Sequence, residues 1–299
     1  MKSLALKACA KVNLGLSIVG KRADGYHELR TIYQSISLAD ELSVSISPGS
    51  AVVDFSVSGI SVPVGRANLA VRAAEVLLAE LNLKRHVQLR LHKIIPAGSG
   101  LGGASSDAAA VLRALLHLSG RSLPADRLLR LAAGLGSDVP FFLLGGAALG
   151  VGRGAEVYPL PESPRRPLVV VFPGVPVSTP NAYSRLRAPL LTSVRANHNI
   201  DLFCGKLFAG SWQEIGNDFE RVVFPELPQL ARIKRSLVRA GARFASLSGS
   251  GSAVFGLFDD VATARRAARI LSRPGMSIFI ARTVSRREFQ AQLPSPSRR

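Results

Sequence analysis

Between Pro96 and Ala109 the chain reads Pro-Ala-Gly-Ser-Gly-Leu-Gly-Gly-Ala-Ser-Ser-Asp-Ala-Ala, four glycines running straight into helix-forming residues. Ahead of it Val87, Leu89 and Leu91 alternate with polar residues, as in a half-buried strand. Behind it, from Ala108 to Leu118, apolar residues recur at helical spacing. A glycine loop therefore joins a strand to the start of a helix. Glycine lets backbone amides approach an anion with no side chain in the way, and first-turn amides have no partners of their own. The helix dipole adds the equivalent of about half a positive charge at that end. Pro96, Ala97, Gly98, Ser99, Gly100, Leu101, Gly102, Gly103, Ala104, Ser105 and Ser106 are thus the candidate phosphate cradle.

Several known phosphate loops are excluded. Gly98, Gly100 and Gly103 satisfy G-x-G-x-x-G, but a dinucleotide site needs a second strand ending in an acidic residue about twenty positions on. Here Gly120 to Pro124 is a turn followed by another helix. The loop lacks the lysine before Ser or Thr of a Walker motif, and the chain lacks the His-Arg-Asp and Asp-Phe-Gly motifs of protein kinases. A plain serine-capped turn would not require so many glycines.

At 299 residues, 47% of them hydrophobic, the chain can bury a large core, and its length favours two domains. No run reaches the roughly 18 apolar residues of a membrane span, and Met1 to Ala10 lacks the apolar segment of a signal peptide. Cys9 and Cys204 are far apart, and His27, His86, His92, His117 and His198 form no ligand pair. Neither a disulfide framework nor a protein-built metal site is expected, and a cytoplasmic location fits. The formal net charge of +18 invites a nucleic-acid partner. Its arginines, however, are spread along Arg121 to Arg130, Arg232 to Arg243 and Arg265 to Arg273, as on solvated helix faces. The expected partner is a small-molecule substrate, with no nucleic acid, membrane or obligate protein partner. Residues 285–299, rich in Ser, Pro, Arg and Gln, read as a mobile basic tail.

From Leu4 to Ile18 every even position is apolar, which predicts a long strand bent at Gly15, with Lys7, Lys11 and Asn13 together on its other face. A turn at Asp24 to His27 precedes strands expected over Thr31–Leu38, Leu42–Ile46 and Val52–Val57. Asn68 is placed to cap a helix over Leu69–Leu81, and Pro124 to start another. That helix delivers Ser137-Asp138-Val139-Pro140-Phe141-Phe142, an aspartate between glycines and aromatics. Strands near Ala147–Val151 and Leu168–Phe172 flank a linker at Pro161 to Pro167, taken as the domain junction. The remainder reads as helices over Asn181–Leu186, Glu226–Ala240 and Val261–Leu271, with strands over Arg243–Leu247, Ala253–Phe258 and Ser277–Thr283. Ser248 to Gly251 forms a second glycine loop. This order suggests an α+β fold with an antiparallel sheet backed by helices on one face.

Lys11-Val12-Asn13, Pro96 to Ser106 and Ser248-Gly249-Ser250-Gly251, taken together, resemble the GHMP small-molecule kinase superfamily. Within it, Ala10 to Leu14, Arg22-Ala23-Asp24-Gly25-Tyr26-His27 and Gly136-Ser137-Asp138-Val139-Pro140 resemble the branch that acts on a cytidine-linked polyol; Ser137 stands where alanine is common. The resemblance implies a ribosomal-S5-like N-terminal domain over 1–160, a C-terminal α+β domain over 161–284, and an active site between them. It implies transfer of the ATP γ-phosphoryl group to the 2-hydroxyl of 4-diphosphocytidyl-2-C-methyl-D-erythritol, in non-mevalonate isoprenoid synthesis. ATP and Mg2+ are the expected cofactors, with no protein ligand assigned to the metal.

By the same resemblance Asp138 is the base that accepts the hydroxyl proton, and Lys11 favours its ionised form. Tyr26 and His27 match cytidine-binding positions, Tyr183 is a stacking partner from the second domain, and Asn13 bonds the substrate. Gly249, Ser250 and Gly251 close the cleft near phosphates or acceptor, a reading favoured over a plain tight turn. Two rival readings are a superfamily kinase of mevalonate or homoserine type, against which Asp24 to His27 argues, and an RNA-binding protein motivated by the charge.

Overall fold

The computed structural model describes residues 1–162, 164–186, 203, 206 and 214–292. Its first sheet is built on two very long strands, β1 (Lys2–Lys21) and β2 (His27–Pro48), antiparallel along their whole length. The other edge of β2 is shared by β4 (Arg85–Lys93), paired with Glu41–Pro48, and β5 (Ala147–Gly152), paired with Leu29–Gln34. β3 (Val53–Gly59) lies parallel to β4, and β6 (Glu156–Pro159) antiparallel to β5. Helices α1 (Leu69–Glu80), α2 (Gly103–Ser119), α3 (Ala125–Leu135) and α4 (Val139–Leu144) complete this half. Asn68 caps α1 as expected, its Oδ1 accepting from the Ala70 amide at 2.9 Å.

The second sheet runs β10-β7-β9-β8, antiparallel throughout, from β7 (Pro167–Phe172), β8 (Phe244–Leu247), β9 (Val254–Leu257) and β10 (Ser277–Arg282). α7 (Pro228–Arg239) and α8 (Val261–Leu271) cover one face; α5 (Thr179–Arg185) and α6 (Glu220–Glu226) lead towards the first sheet. The other face packs on β1 and β2, with Val170, Phe255 and Leu257 against Val12, Leu14 and Ile36 in one buried cluster. The architecture is therefore helices, sheet, sheet, helices: the expected α+β arrangement in two domains.

Three expectations change. The residues from Thr31 to Ile46 form one strand: Asp40, in the gap between the two expected strands, is fully buried and satisfied, its Oδ1 accepting from the amides of Ile94 and Ile95. The even positions of β1 do not share one face. A bulge between Cys9 and Lys11 shifts the register, so Leu6 and Ala8 face the helices, whereas Ala10, Val12 and Leu14 face the second sheet. Lys7 is exposed, but Lys11 and Asn13 are buried at 3% and 2% exposure.

The expected tail is in part structure. After β10, Thr283 bridges to Ile36 and the Val284 amide donates to the Ser35 carbonyl, carrying the chain back into the first sheet between β4 and β5. α9 (Arg286–Gln290) then seats Phe289, 3% exposed, in the first core beneath Arg113 and against Gly145. Residues 293–299 lie outside the described residues, as does Cys204. Among the described residues no helix is long and apolar enough to cross a membrane. Phe289→Ala should lower the unfolding free energy by about 3 kcal/mol, read as a reduced denaturant midpoint with an unchanged m-value.

Candidate active site

The β1 bulge turns Lys11 and Asn13 towards a cleft of about 570 Å3 between the domains. A buried ammonium needs partners, and Lys11 has them. Its Nζ donates to Asn13 Oδ1 at 2.7 Å and lies 3.4 Å from Asp138 Oδ2. Asn13 is oriented in turn, since its Nδ2 donates to Thr31 Oγ1 at 2.7 Å and that hydroxyl donates to the Gly15 carbonyl at 2.8 Å. Each end of the Asn13 amide thus has one partner within the protein, and the residue lines the cleft with one Nδ2 hydrogen still to give.

Asp138 precedes the first turn of α4, yet its carboxylate does not cap that helix. Its Oδ1 instead accepts from the Tyr33 hydroxyl at 2.9 Å. Burial, and then the charge of Asp138, push the Tyr33 phenol well above its ordinary pKa, so it remains a donor. Sequence reasoning missed Tyr33: it is one of several residues on a strand, and its partner Asp138 lies 105 positions away in sequence.

The glycine loop borders the cleft beside Lys11. Gly98, Gly100 and Gly102 have φ of +64°, +78° and +72°, and a Cβ at Gly102 would lie 3.2 Å from Lys11 Cε. Gly102 is also the N-cap of α2 and brings no capping side chain, so the amides of the first turn keep no intrahelical acceptor. Meanwhile the loop carbonyls are used. Those of Ser99 and Gly100 accept from the Ala253 amide at 3.0 Å and the Ser248 hydroxyl at 2.9 Å, and that of Leu101 from the Lys11 amide at 3.0 Å. A loop whose carbonyls are tied outwards and whose helix start is uncapped fits a polyphosphate. Most of the predicted cradle lines the cleft; Leu101 is fully buried in the core, and Ser106 donates its hydroxyl to the Cys9 carbonyl at 2.7 Å.

Beneath the loop lies a cluster that the sequence did not single out. Lys93 Nζ donates to Asp40 Oδ2 at 2.5 Å and Asp107 Oδ2 at 2.7 Å, while Asp107 Oδ1 is buried without a partner. Burial first, and then the negative charge of Asp40, raise Asp107 to about 7 against the pull of Lys93.

At the other end of the cleft, Tyr183 of α5 stacks on His27 at 5.1 Å between ring centroids and meets Phe219 edge-on at 4.8 Å. Burial, and secondarily Lys21, lower the His27 pKa, so the imidazole is neutral near pH 7. Tyr26 and His27 both lie outside the cleft lining; Tyr26 is 55% exposed, with the Arg153 guanidinium, which does line the cleft, 3.9 Å from its ring centroid. Gly249 approaches the pair: a Cβ there would lie 3.3 Å from both Lys11 Nζ and Asn13 Oδ1. Ser250 Oγ is 2.8 Å from Thr179 Oγ1, and Asn217 holds the loop by donating to the Gly249 carbonyl at 2.8 Å. Gly251 lies outside the lining and packs on Leu247.

Known proteins share this sequence and this fold. The description "GHMP kinases N terminal domain" matches residues 68–146, and "GHMP kinases C terminal" matches 194–275. A 4-diphosphocytidyl-2-C-methyl-D-erythritol kinase of Solibacter usitatus is 47% identical over 96% of this chain and 90% of its own length. A crystal structure of 4-(cytidine 5'-diphospho)-2C-methyl-D-erythritol kinase aligns with TM-score 0.77 and 39% identity, covering 94% of this chain and 99% of that one. A homoserine kinase from Cytophaga hutchinsonii shares the fold at TM-score 0.70 and 21% identity, covering 95% of this chain and 96% of its own. The chain belongs to the GHMP kinases, and among them to the 4-diphosphocytidyl-2-C-methyl-D-erythritol kinase family.

Because the folded state holds the Asp107 proton to about pH 7, against an ordinary carboxyl value of 3.8, this group favours the fold at low pH and loses that contribution as pH rises through 7. Thermal unfolding midpoints should therefore fall less between pH 5 and pH 8 in Asp107→Asn than in the wild type.

Proposed function

We propose that this protein transfers the γ-phosphoryl group of ATP to the 2-hydroxyl of 4-diphosphocytidyl-2-C-methyl-D-erythritol. The observation that carries the reading is the Lys11–Asp138 pair, 3.4 Å apart in a cleft with a glycine loop beside Lys11 and an aromatic pair beyond Asp138. The 47% identity to a relative of that name supports the choice of acceptor. Phosphoryl transfer demands positioning and neutralisation of charge more than covalent chemistry by the protein.

Bound at the loop, ATP with magnesium supplies the γ-phosphoryl group. The first-turn amides of α2 hold the polyphosphate, and Ser105, on the cleft wall, adds a hydroxyl. Magnesium bound with ATP would be held chiefly by the phosphate oxygens and would neutralise their charge. Asp138 accepts the proton of the acceptor hydroxyl, with its carboxylate aimed by Tyr33 and Lys11. Lys11, fixed by Asn13, offsets negative charge developing on the transferred group. His27, neutral, has one ring nitrogen to donate and one to accept at the edge of a cytosine, and Tyr26 and Tyr183 offer ring faces to it. Thr179 and Ser250 close the acceptor side. The reaction is placed in the cytoplasm, consistent with its widely spaced cysteines.

Purified protein with Mg-ATP should release ADP with the cytidine-linked acceptor and not with mevalonate or homoserine; turnover on either of those would overturn the acceptor. Asp138→Asn should retain ATP affinity and lose about a hundredfold or more in kcat, and Lys11→Met should lower kcat more than it raises the KM for ATP. Near-normal turnover of Asp138→Asn would remove it from the base role.

A further inference from the structure

We propose that the outer helical face of the second domain docks on an anionic phospholipid surface. The +18 charge of the chain is unevenly spread: between Glu226 and Glu288 the only acidic residues are Asp259 and Asp260. Both are spent. Asp259 pairs with Arg166 at 2.9 Å and Arg243 at 2.5 Å, and Asp260 caps α8, accepting from the amide and the hydroxyl of Thr263 at 2.8 Å each. On α7, Arg232, Arg235 and Arg239 recur at three and four residues, opposite the buried Leu230, Ile233 and Leu237. On α8, Arg265, Arg266 and Arg269 stand opposite the buried Ala264, Ala268 and Leu271. The helices lie side by side, α7 over β8 and β9 and α8 over β7 and β10, so these guanidiniums share one layer. Among the described residues Arg232, Arg235, Arg239, Arg265 and Arg269 pair with no carboxylate, and Arg266 has only the field of Asp260.

Like charges gathered on one layer repel, and a polyanion relieves them. The uncharged residues among them decide which polyanion fits. Val238, Val261, Ile270 and Ile280 are each half exposed, and between α8 and β10 a recess of about 510 Å3 sets Arg265 and Arg269 beside Ile278 and Ile280. Neither helix carries an aromatic residue for a base to stack on. Guanidiniums that meet phosphate headgroups, with aliphatic side chains between them that reach the acyl boundary, are what an interfacial surface combines. Sequence alone reads these arginines as solvated and expects no membrane; their gathering on one face, without counter-charges and among exposed aliphatics, argues for a lipid partner. The layer order suits the role. α7 and α8 lie on the side of the second sheet away from the first, and no residue of either lines the cleft.

The test is flotation of the full chain with large unilamellar vesicles of phosphatidylcholine alone, or of phosphatidylcholine and phosphatidylglycerol in equal parts. At physiological ionic strength the wild type should float with the anionic vesicles and not with the neutral ones, and high salt should weaken the binding. The triple variants Arg265→Gln/Arg266→Gln/Arg269→Gln on α8 and Arg232→Gln/Arg235→Gln/Arg239→Gln on α7 should each lower the partition coefficient on the order of a hundredfold, the scale of three cations lost from an anionic surface. Each variant is used only if its unfolding midpoint matches the wild type, and either one alone decides the matter. Removing the same charge from the first domain, with Arg121→Gln/Arg127→Gln/Arg130→Gln, should leave partitioning nearly unchanged. Equal loss in that control, or a wild type that ignores anionic vesicles, overturns the proposal. So does release of the vesicle-bound protein by an RNA oligonucleotide at matched phosphate concentration, which would assign the face to nucleic acid.

Discussion

A lysine ammonium almost wholly removed from water is costly unless every donor finds an acceptor, and much of the site follows from satisfying Lys11. Its acceptors come from β1, through Asn13, and from the turn before α4, through Asp138. Asn13 needs Thr31 of β2 to hold it, and Asp138 takes Tyr33 of the same strand. Two strands, a turn and the Gly249 backbone of the second domain converge on one nitrogen. Each then restrains the others. The same cation that faces the Asp138 carboxylate fixes the register at which β1 meets β2, because a one-residue slip would return Lys11 to the apolar face.

Much of this was legible in the residues. The glycine loop announced itself by composition, and Asp138 stood out as an acid between glycines and buried aromatics. Element positions followed from periodicity and caps: Asn68 marks the start of α1, and Pro124 that of α3. What was illegible shares a cause. The bulge at Ala10 changes no residue type, so alternation in sequence could not reveal that the face changes halfway along β1. Asp40 lies between two expected strands, and its burial inside a single one depends on the amides of Ile94 and Ile95 folded onto it. Tyr33 and Arg153 become part of the site only through long-range pairing, and Phe289 sits in a segment whose composition resembles a solvated tail. Local propensity sees neighbours in sequence, and these features depend on neighbours in space.

The two glycine loops also show how closely the domains are matched. A Cβ at Gly100 would come within 2.0 Å of the Ser248 carbonyl, at a residue whose φ of +78° already disfavours any side chain. The first loop is therefore shaped as much by contact with the second as by any phosphate. Its carbonyls face Ser248 and Ala253, which leaves the helix start turned inwards. Binding and domain contact use opposite sides of one short piece of backbone.

The return of the chain through Thr283 and Val284 makes the C-terminal domain an insertion within the N-terminal one. Two strands of covalent chain cross the boundary, and one buried cluster joins the two sheets face to face. The order of synthesis matters as well. The ribosome completes the whole second domain before it releases Phe289, and until that ring arrives the first core lacks part of its filling. The domain that begins the protein is the last to be finished.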